Sequence, residues 1–346
     1  MNRMVAGIAI GLAVSGSALA ADLPVKAPVQ PQVAAGPAVW VGLEALYMTQ
    51  STNRFEFARH SGTDQRFFAD QDRDWKPGAR FTVGVAIDPL SSIEMSGFFL
   101  TGTGSSASAR SPTDSLDARF LGTAVGYPGV NIAPTIGGTA IDIFSGSRRI
   151  DVNLNSEIWG AEGNYRRRVA LGGPNARVDV LAGFRYVHLG STMNVFSDDD
   201  GIGTRWLGYL NVNARNDLYG AQLGFDARYD FSPAFSLGLV AKGGIFANNI
   251  SRNRVMNTVD GAGVFANVYN DTVSTTNFAG LIEVSPTLIY KIGARAEVFA
   301  GYQALWLTGV SQAQQYYLNA GLIADSSVPT SSVLFHGARA GLKVGF

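Results

Sequence analysis

The sequence predicts an all-β protein: a transmembrane antiparallel up-and-down β-barrel of about ten strands. Apolar and polar residues alternate with a period of two over runs of about ten residues, which is what a tilted strand needs to cross a bilayer. In each run the apolar residues occupy every second position, which we call the apolar parity. Tyr, Trp and Phe lie at the ends of this parity, as in the aromatic girdles at membrane interfaces. The connections alternate between short and long, which is typical of periplasmic turns and extracellular loops.

Composition agrees with a sheet that has one apolar and one polar face. Charged residues make up 16% of the 346 residues, against about 25% in soluble domains. The chain contains 41 Gly and no Cys, which excludes disulfides, zinc–thiolate sites and a Cys nucleophile. Formal net charge is zero, so we expect no nucleic-acid partner.

The N-terminus predicts export. Arg3 precedes a short apolar run over 5–16, and Ala18-Leu19-Ala20 has the small residues of a cleavage site. We therefore predict a cleaved signal peptide over 1–20, a Pro/Ala-rich periplasmic leader over 21–38 and the barrel over 39–346. This organisation indicates the outer membrane of a Gram-negative bacterium.

The first five strands are predicted where apolar residues recur at every second position. In the first run, for example, Val39, Leu43 and Tyr47 share one parity. The runs are VWVGLEALYM (39–48), ARFTVGVAID (79–88), SIEMSGFFL (92–100), EIWGAEGNYRRR (157–168) and ARVDVLAGFRYVHL (176–189).

The last five strands follow the same rule, most clearly in the sixth, where Tyr219, Leu223 and Tyr229 alternate with Gly and polar residues. Pro286 is unusual inside a strand and predicts a local weakness or bulge. The runs are DLYGAQLGFDARYD (217–230), FSLGLVAKGGIFA (235–247), NFAGLIEVSPTLIY (277–290), ARAEVFAGYQALW (294–306) and FHGARAGLKVGF (335–346).

Loop lengths orient the barrel. Four short turns and five long polar segments join ten strands, so both termini fall on the periplasmic side. Twelve strands is the alternative, if part of 49–78 or 101–156 pairs. The short turns are 88–91, 169–175, 230–234 and 291–293, and the long segments are 49–78, 101–156, 190–216, 248–276 and 307–334.

The last strand ends on Phe346. Lipid would cover its apolar parity, and pairing with the first strand would satisfy its backbone edge. A terminal Phe on an alternating strand also resembles the signal that the outer-membrane assembly machinery reads. We expect this machinery, outer-membrane lipids and lipopolysaccharide as partners; the sequence leaves the oligomeric state open.

Three stretches, 79–100, 157–189 and 216–245, resemble the beta-barrel porin-7 family of outer-membrane proteins. The most specific parts of this resemblance are the motifs GFRY-x-x-L and YG-x-QLG-x-x-x-x-Y. The resemblance spans about 79–250, with a weaker match at the C-terminus. It implies a membrane barrel with a transport role.

The inward parity carries ten basic and seven acidic side chains, an excess that favours small anions in an aqueous lumen. A cross-strand ion-pair network that fills a narrow barrel is the alternative. The basic residues are Arg80, Arg166, Arg168, Arg177, Arg185, Arg228, Lys242, Arg295, Arg339 and Lys343, and the acidic residues are Glu44, Glu94, Glu162, Asp179, Asp226, Glu283 and Glu297.

Catalytic and metal-binding motifs are weak. Of the three His residues, His188 lies at an extracellular strand end with the acidic run Asp198–Asp200 a loop away, but no spacing requires a catalytic pair. The stretch 197–203 lacks the ligand spacing of a calcium loop. We expect no enzyme activity, no metal and no cofactor.

Two functions follow. The first is a porin-like passive channel for small hydrophilic solutes with mild anion preference. The alternative is a closed structural or surface-recognition barrel that acts through its extracellular loops, of which 101–156 is the longest.

Overall fold

The computed structural model carries side chains and describes most of the predicted barrel region. The predicted signal peptide and all of the predicted leader except Ala38 lie outside the described residues, so both stay predictions. The described residues are 38–51, 54–69, 74–118, 135–136, 139–140, 144, 146–171, 173–199, 205–318 and 328–346.

The described chain is dominated by β-strands, and its one helix, α1 (Ala313–Leu318), is short. No helix among these residues is long and apolar enough to cross a membrane. The strands are β1 (Val39–Ser51), β2 (Phe55–His60), β3 (Arg66–Ala69), β4 (Lys76–Ala86), β5 (Ser91–Arg110), β6 (Leu116–Ala118), β7 (Thr135–Ile136), β8 (Thr139–Ala140), β9 (Arg149–Val169), β10 (Ala176–Asp199), β11 (Trp206–Asp230), β12 (Phe235–Val259), β13 (Phe265–Ile292), β14 (Ala296–Val310) and β15 (Ser331–Gly345).

Ten strands close into an antiparallel barrel in the order β1-β15-β14-β13-β12-β11-β10-β9-β5-β4. Strand β1 closes the ring because it pairs with both β15 and β4, with Val41 opposite Val344 on one side and Val83 on the other. The last strand therefore pairs with the first, as predicted. Each of the ten predicted runs overlaps one barrel strand.

The two segments that could have supplied extra barrel strands pair with each other instead. Strands β3, β2 and β6 form a separate three-stranded sheet, and β7 pairs with β8. The described barrel thus has ten strands rather than twelve. Pro286 stays inside β13 opposite Leu239, while the ladder between β13 and β14 skips Ser285 and Pro286.

Strands β9 to β13 are much longer than a membrane crossing requires. They contain 21 to 28 residues, whereas about 9–11 suffice. Much of two segments expected as loops, 190–216 and 248–276, continues as paired strand: Met193 lies opposite Val212, and Arg252 opposite Val273. These hairpins project beyond the membrane-spanning part as an extracellular extension.

The polarity of the strands inverts where this extension begins. In the lower part of β11, Leu223 faces outward and is exposed while Gln222 faces inward and is buried. In the upper part, Val212 is buried inside, and Asn211 and Asn213 face outward. The outer surface changes from apolar to polar because it changes from lipid to water, and the inversion locates the extracellular membrane boundary near Tyr219.

The extracellular extension has a core of the soluble-protein type. Apolar side chains from the upper parts of the long strands pack with residues of β2, β6 and α1, including Phe57, Leu116 and Tyr316. The small sheet and the helix thus pack against residues from the inner face of this wall.

Candidate functional site: the barrel interior

Glu283 lies at the centre of the barrel interior and joins strands on opposite sides of the bore. Its carboxylate accepts a hydrogen bond from Arg80 Nη2 at 3.3 Å and from Arg185 Nη1 at 2.5 Å. Glu283 and Arg185 are each 1% exposed by side chain. Because Arg80 is on β4 and Glu283 on β13, the pair spans the bore rather than linking neighbouring strands.

The same network extends in both directions from Glu283. Glu44 Oε1 lies 3.5 Å from Arg80 Nη1, and Glu44 Oε2 lies 2.5 Å from Arg339 Nη2. On the other side, Glu162 binds Lys242 and lies 3.4 Å from Arg185. We call these seven residues, Glu44, Arg80, Glu162, Arg185, Lys242, Glu283 and Arg339, the central network.

Four cations and three carboxylates make up the central network, so it keeps one net positive charge when all are ionised. Breaking a buried ion pair by removing one partner leaves an uncompensated charge and is strongly destabilising. The central network therefore holds β1, β4, β9, β10, β12, β13 and β15 in one arrangement.

A second charged cluster lies nearer the periplasmic end and is more accessible to water. Arg166 binds Asp226 and lies 2.8 Å from Glu94. Arg228 Nη1 donates to Glu297 Oε2 at 2.7 Å. These partners are 10 to 23% exposed by side chain, against 1 to 12% in the central network, so solvent reaches this end of the bore more readily.

An apolar layer lies on the extracellular side of the central network. It contains sixteen side chains from nine of the ten barrel strands, and each is 0 to 8% exposed. An open aqueous pore would leave such inward side chains accessible. The layer consists of Leu46, Met48, Phe98, Leu100, Ile158, Val187, Leu189, Leu218, Phe246, Ala279, Leu281, Leu305, Leu307, Val310, Val333 and Phe335.

A polar layer above the apolar layer anchors the segment that follows β14. The Asn216 amide nitrogen donates to Ser311 O at 2.7 Å, and Ser311 N donates to Asn216 Oδ1 at 2.7 Å. Asn248 donates to Gly309 O at 2.9 Å, and Ala313 N donates to Ser191 Oγ at 3.1 Å. The chain therefore turns inward after β14 and places α1 over the bore.

The structure places most of the predicted lumen residues inside the barrel. Seven form the central network, and Glu94, Arg166, Asp179, Asp226, Arg228 and Glu297 pair near the periplasmic end. Lys343 lies there too, with its ammonium 5.1 Å from the Trp40 ring centroid. Arg295 differs: it lies exposed in the turn between β13 and β14, because β14 begins one residue later.

The apolar layer was missed by sequence reasoning, which assigned apolar residues to the outer parity alone. The signal is present: Leu46, Met48 and Phe98 occupy the same inward parity as Glu44 and Glu94. A change from charged to apolar residues along one parity indicates that the interior changes from ion pairs to apolar packing at that height.

The His residues have structural partners in the described chain. His188 Nδ1 lies 2.8 Å from Asp217 Oδ1, and its ring stacks on Trp159 at 5.2 Å. Asp198, the first acidic residue of 198–200, instead binds Arg205 at 2.7 Å; Asp200 lies outside the described residues. His188 thus belongs to the aromatic girdle at the extracellular membrane boundary.

The family model described as "Putative beta barrel porin-7" matches residues 49–323. The chain belongs to this family. The match covers most of the barrel, and the family and the fold together make the protein an outer-membrane β-barrel of porin-like type. This extends the resemblance that the sequence alone suggested over about 79–250.

Two solved outer-membrane barrels align with this family member at low sequence identity. The outer membrane protease OmpT from Escherichia coli aligns with TM-score 0.46 and 11% identity, over 89% of this chain and 96% of that chain. A major outer membrane protein from Thermus thermophilus aligns with TM-score 0.35 and 13% identity, over 89% and 100%. No curated protein sequence matches the chain.

Proposed function

We propose that this protein is an outer-membrane barrel whose bore is closed to passive solute flow and whose extracellular extension carries its function. The observation that supports this most is the apolar layer across the bore, with α1 held above it. The long hairpins β10–β11 and β12–β13 then present a large, ordered surface to the outside.

Opening a water-filled route through the apolar layer would be costly. Exposing a buried large apolar side chain to water costs about 1.5–3 kcal/mol. Hydrating five members of the layer would therefore cost roughly 10 kcal/mol, which is comparable to the whole stability of a typical domain. A spontaneous opening of this kind would be too rare to support passive diffusion.

We propose that residues 1–20 are removed, that 21–38 stays periplasmic and that Phe346 at the end of β15 is recognised by the outer-membrane assembly machinery. Phe346 is exposed on the periplasmic side, and its backbone is held by Val39, since Phe346 N donates to Val39 O at 2.8 Å. Lipid and lipopolysaccharide would surround the exposed apolar belt.

The deciding experiment is conductance of the refolded chain 21–346 in a planar bilayer under a salt gradient. We expect no discrete current steps from protein whose folding is verified by β circular dichroism and by resistance to protease. A conducting porin inserted in the same bilayers controls for membrane quality. Reproducible steps from the folded protein would refute the closed barrel.

A passive anion channel is the second candidate, and the porin description of the family favours it. The net positive central network would then face the permeating ions once the apolar layer had moved aside. If steps are seen, Arg228→Glu should shift the reversal potential towards cations, because Arg228 lies inside the barrel near its periplasmic end. An unchanged reversal potential would exclude an anion-selective lumen.

A further inference from the structure

Three strands of the extracellular extension carry a compact set of amide and hydroxyl side chains on their outer face. The set is two rows deep, and in each row a residue of β10 lies opposite one residue of β9 and one of β11. Its members face outward, since the residues that alternate with them, such as Met193 and Val212, are buried inside. We call this set the amide patch, and its rows are Asn155, Thr192, Asn213 and Asn153, Asn194, Asn211.

Hydrogen bonds within the amide patch fix several of its side chains in place. Thr192 Oγ1 donates to Asn213 Oδ1 at 2.8 Å. Asn213 Nδ2 donates to Asn211 Oδ1, and Asn211 Nδ2 donates to Asn194 Oδ1, both at 2.6 Å. Each amide nitrogen carries two N–H groups, so Asn211 and Asn213 each keep a second N–H for an external acceptor. Side chains that are already ordered lose little conformational entropy when they bind a ligand.

The amide patch lies on the lateral wall of the extension, above the level that lipid headgroups reach. Asn213 shares the outward parity of β11 with Tyr219, which marks the membrane boundary. A strand rises about 3.4 Å per residue and tilts by about 35–45°, so Asn213 lies about 15 Å above this boundary. The headgroup layer adds only about 5–8 Å to each side of the hydrocarbon. The wall at this height therefore faces the sugar portion of outer-leaflet glycolipid.

An aromatic pair lies directly above the amide patch on the same face. Phe196 and Tyr209 are cross-strand partners, and their ring centroids are 5.3 Å apart. Tyr209 is 40% exposed. The pair faces outward well above the lipid, so neither the core of the extension nor the membrane accounts for it. An exposed tyrosine offers the C–H face of a sugar ring an apolar surface, and its hydroxyl can form a hydrogen bond.

We propose that the amide patch and the Phe196–Tyr209 pair bind the core oligosaccharide of lipopolysaccharide in the same membrane. Amide and hydroxyl groups both donate and accept hydrogen bonds, as sugar hydroxyls do. All six members of the patch are uncharged, which suits a neutral, hydroxyl-rich ligand. This inference rests on the proposed function, because it assigns a ligand to part of the extracellular extension.

Two arginines that border the amide patch are already paired with carboxylates. Arg149 Nη2 lies 2.6 Å from Asp151 Oδ2, and Arg215 Nε lies 2.8 Å from Asp217 Oδ2. Attraction to the anionic groups of the oligosaccharide is therefore offset at both positions. Binding through neutral hydrogen bonds depends little on ionic strength, whereas binding through exposed charges weakens as salt is added.

Saturation-transfer difference NMR tests the proposal directly. Core oligosaccharide freed of lipid A is titrated against the refolded chain 21–346 in detergent micelles, and the transferred signal gives the dissociation constant. Micelles without protein provide the background. Circular dichroism and protease resistance verify that each variant is folded, so a loss of binding is not a loss of structure.

We expect saturable binding by the unchanged protein. Asn211→Ala combined with Asn213→Ala should raise the dissociation constant at least about tenfold, because it removes two of the fixed amides. Tyr209→Ala should also weaken binding, since it removes the exposed ring. Asn249→Ala is the matched control: this asparagine is exposed on β12 opposite Asp217, outside the patch, and its loss should change the constant by less than about twofold.

Three results would overturn the proposal. The first is no saturable signal transfer from the folded protein. The second is an unchanged dissociation constant in the double variant, which would place the sugar elsewhere. The third is loss of binding when NaCl is raised from about 0.05 to about 0.5 M, which would assign binding to charged groups. Conductance is independent of all three, so a conducting barrel that binds the oligosaccharide would refute only the closed bore.

Discussion

Glu283 illustrates how a single residue can organise the interior of this barrel. Its two carboxylate oxygens accept hydrogen bonds from Arg80 and Arg185, which lie on different strands. The side chains of Glu283 and Arg185 are each 1% exposed and that of Arg80 is 9% exposed, so solvent is a poor substitute for the carboxylate. Glu283 therefore stabilises the barrel mainly because it prevents Arg80 and Arg185 from being buried without a partner. The net gain is smaller than the sum of the two electrostatic attractions.

Glu283→Gln should lower the free energy of unfolding by about 3–5 kcal/mol, the cost that follows when one partner of a buried ion pair is removed. Urea titration of the refolded barrel, followed by tryptophan fluorescence, measures it. Glu157→Gln is the matched control, since Glu157 is 64% exposed by side chain and its loss should cost less than about 0.5 kcal/mol. Equal effects would contradict the central network.

Asp198 gives a pH-dependent contact at the top of β10. The bidentate hydrogen bonds from Arg205, at 2.9 and 2.7 Å, lower the pKa of this carboxyl below its ordinary value. A lowered pKa in the folded state stabilises the contact above about pH 4 and loses that contribution as pH falls further. The protection factors of the amides in 206–210, which correct for the intrinsic pH dependence of exchange, should thus fall below pH 4, and Asp198→Asn should remove this fall.

At the scale of elements, the first residues after β14, 311–318, turn inward over the bore. A register shift accompanies Gly309, whose φ of 72° favours glycine and which packs against the Phe278 carbonyl. Two residues further on, the backbone N–H and C=O of Ser311 both form hydrogen bonds with the Asn216 side chain. The strand therefore ends in an inward turn rather than in a loop that points to solvent.

Asn216→Ala should release this segment from the bore. It removes the hydrogen bonds to Ser311 and to Leu189 O, about 2–3 kcal/mol of local stabilisation at roughly 1 kcal/mol each. Hydrogen exchange of 311–318 should increase at least about tenfold while the barrel strands stay protected. Asn253→Ala, on the outer face of β12, is the control, and an equal increase there would indicate general loosening.

At the scale of the whole molecule, the same strands face lipid in their lower part and water in their upper part. In β10, Phe184 is 76% exposed on the lower outer face, while Met193 and Val195 are buried inside the extracellular extension. The lower part is apolar outside and charged inside, whereas the extension is polar outside and apolar inside. A barrel in lipid and a water-soluble sheet wall are therefore continuous along the same strands.

Single-Cys labelling tests this boundary directly, because the natural chain has no Cys. A membrane-impermeant maleimide applied to intact cells should label Asn213→Cys and leave Phe184→Cys unlabelled. The former faces water and the latter faces lipid. Labelling of both at similar rates would contradict the boundary, and detergent-solubilised protein serves as the control for thiol reactivity.

Much of the barrel could be predicted from the sequence, because lipid outside and polar groups inside impose a period of two. The ten runs and the pairing of Val39–Met48 with the terminal strand follow from that rule. The upper hairpins could not be predicted as strands in this way. Residues such as Asn194 and Asn213 are as polar as loop residues, and only their cross-strand partners show that they are paired.

The sequence by itself determined the fold class and the alternation of inward and outward positions, since one-face burial specifies register and parity along each strand. It left ten or twelve strands open, and the pairing of β2 with β6 outside the barrel decided for ten. Only the tertiary structure showed that buried ion pairs and an apolar layer fill the interior of the described barrel. This packing depends on contacts between residues far apart in sequence, such as Arg80 with Glu283 and Asn216 with Ser311. The alternation of apolar and polar residues along one strand does not reveal which residues contact that strand across the bore.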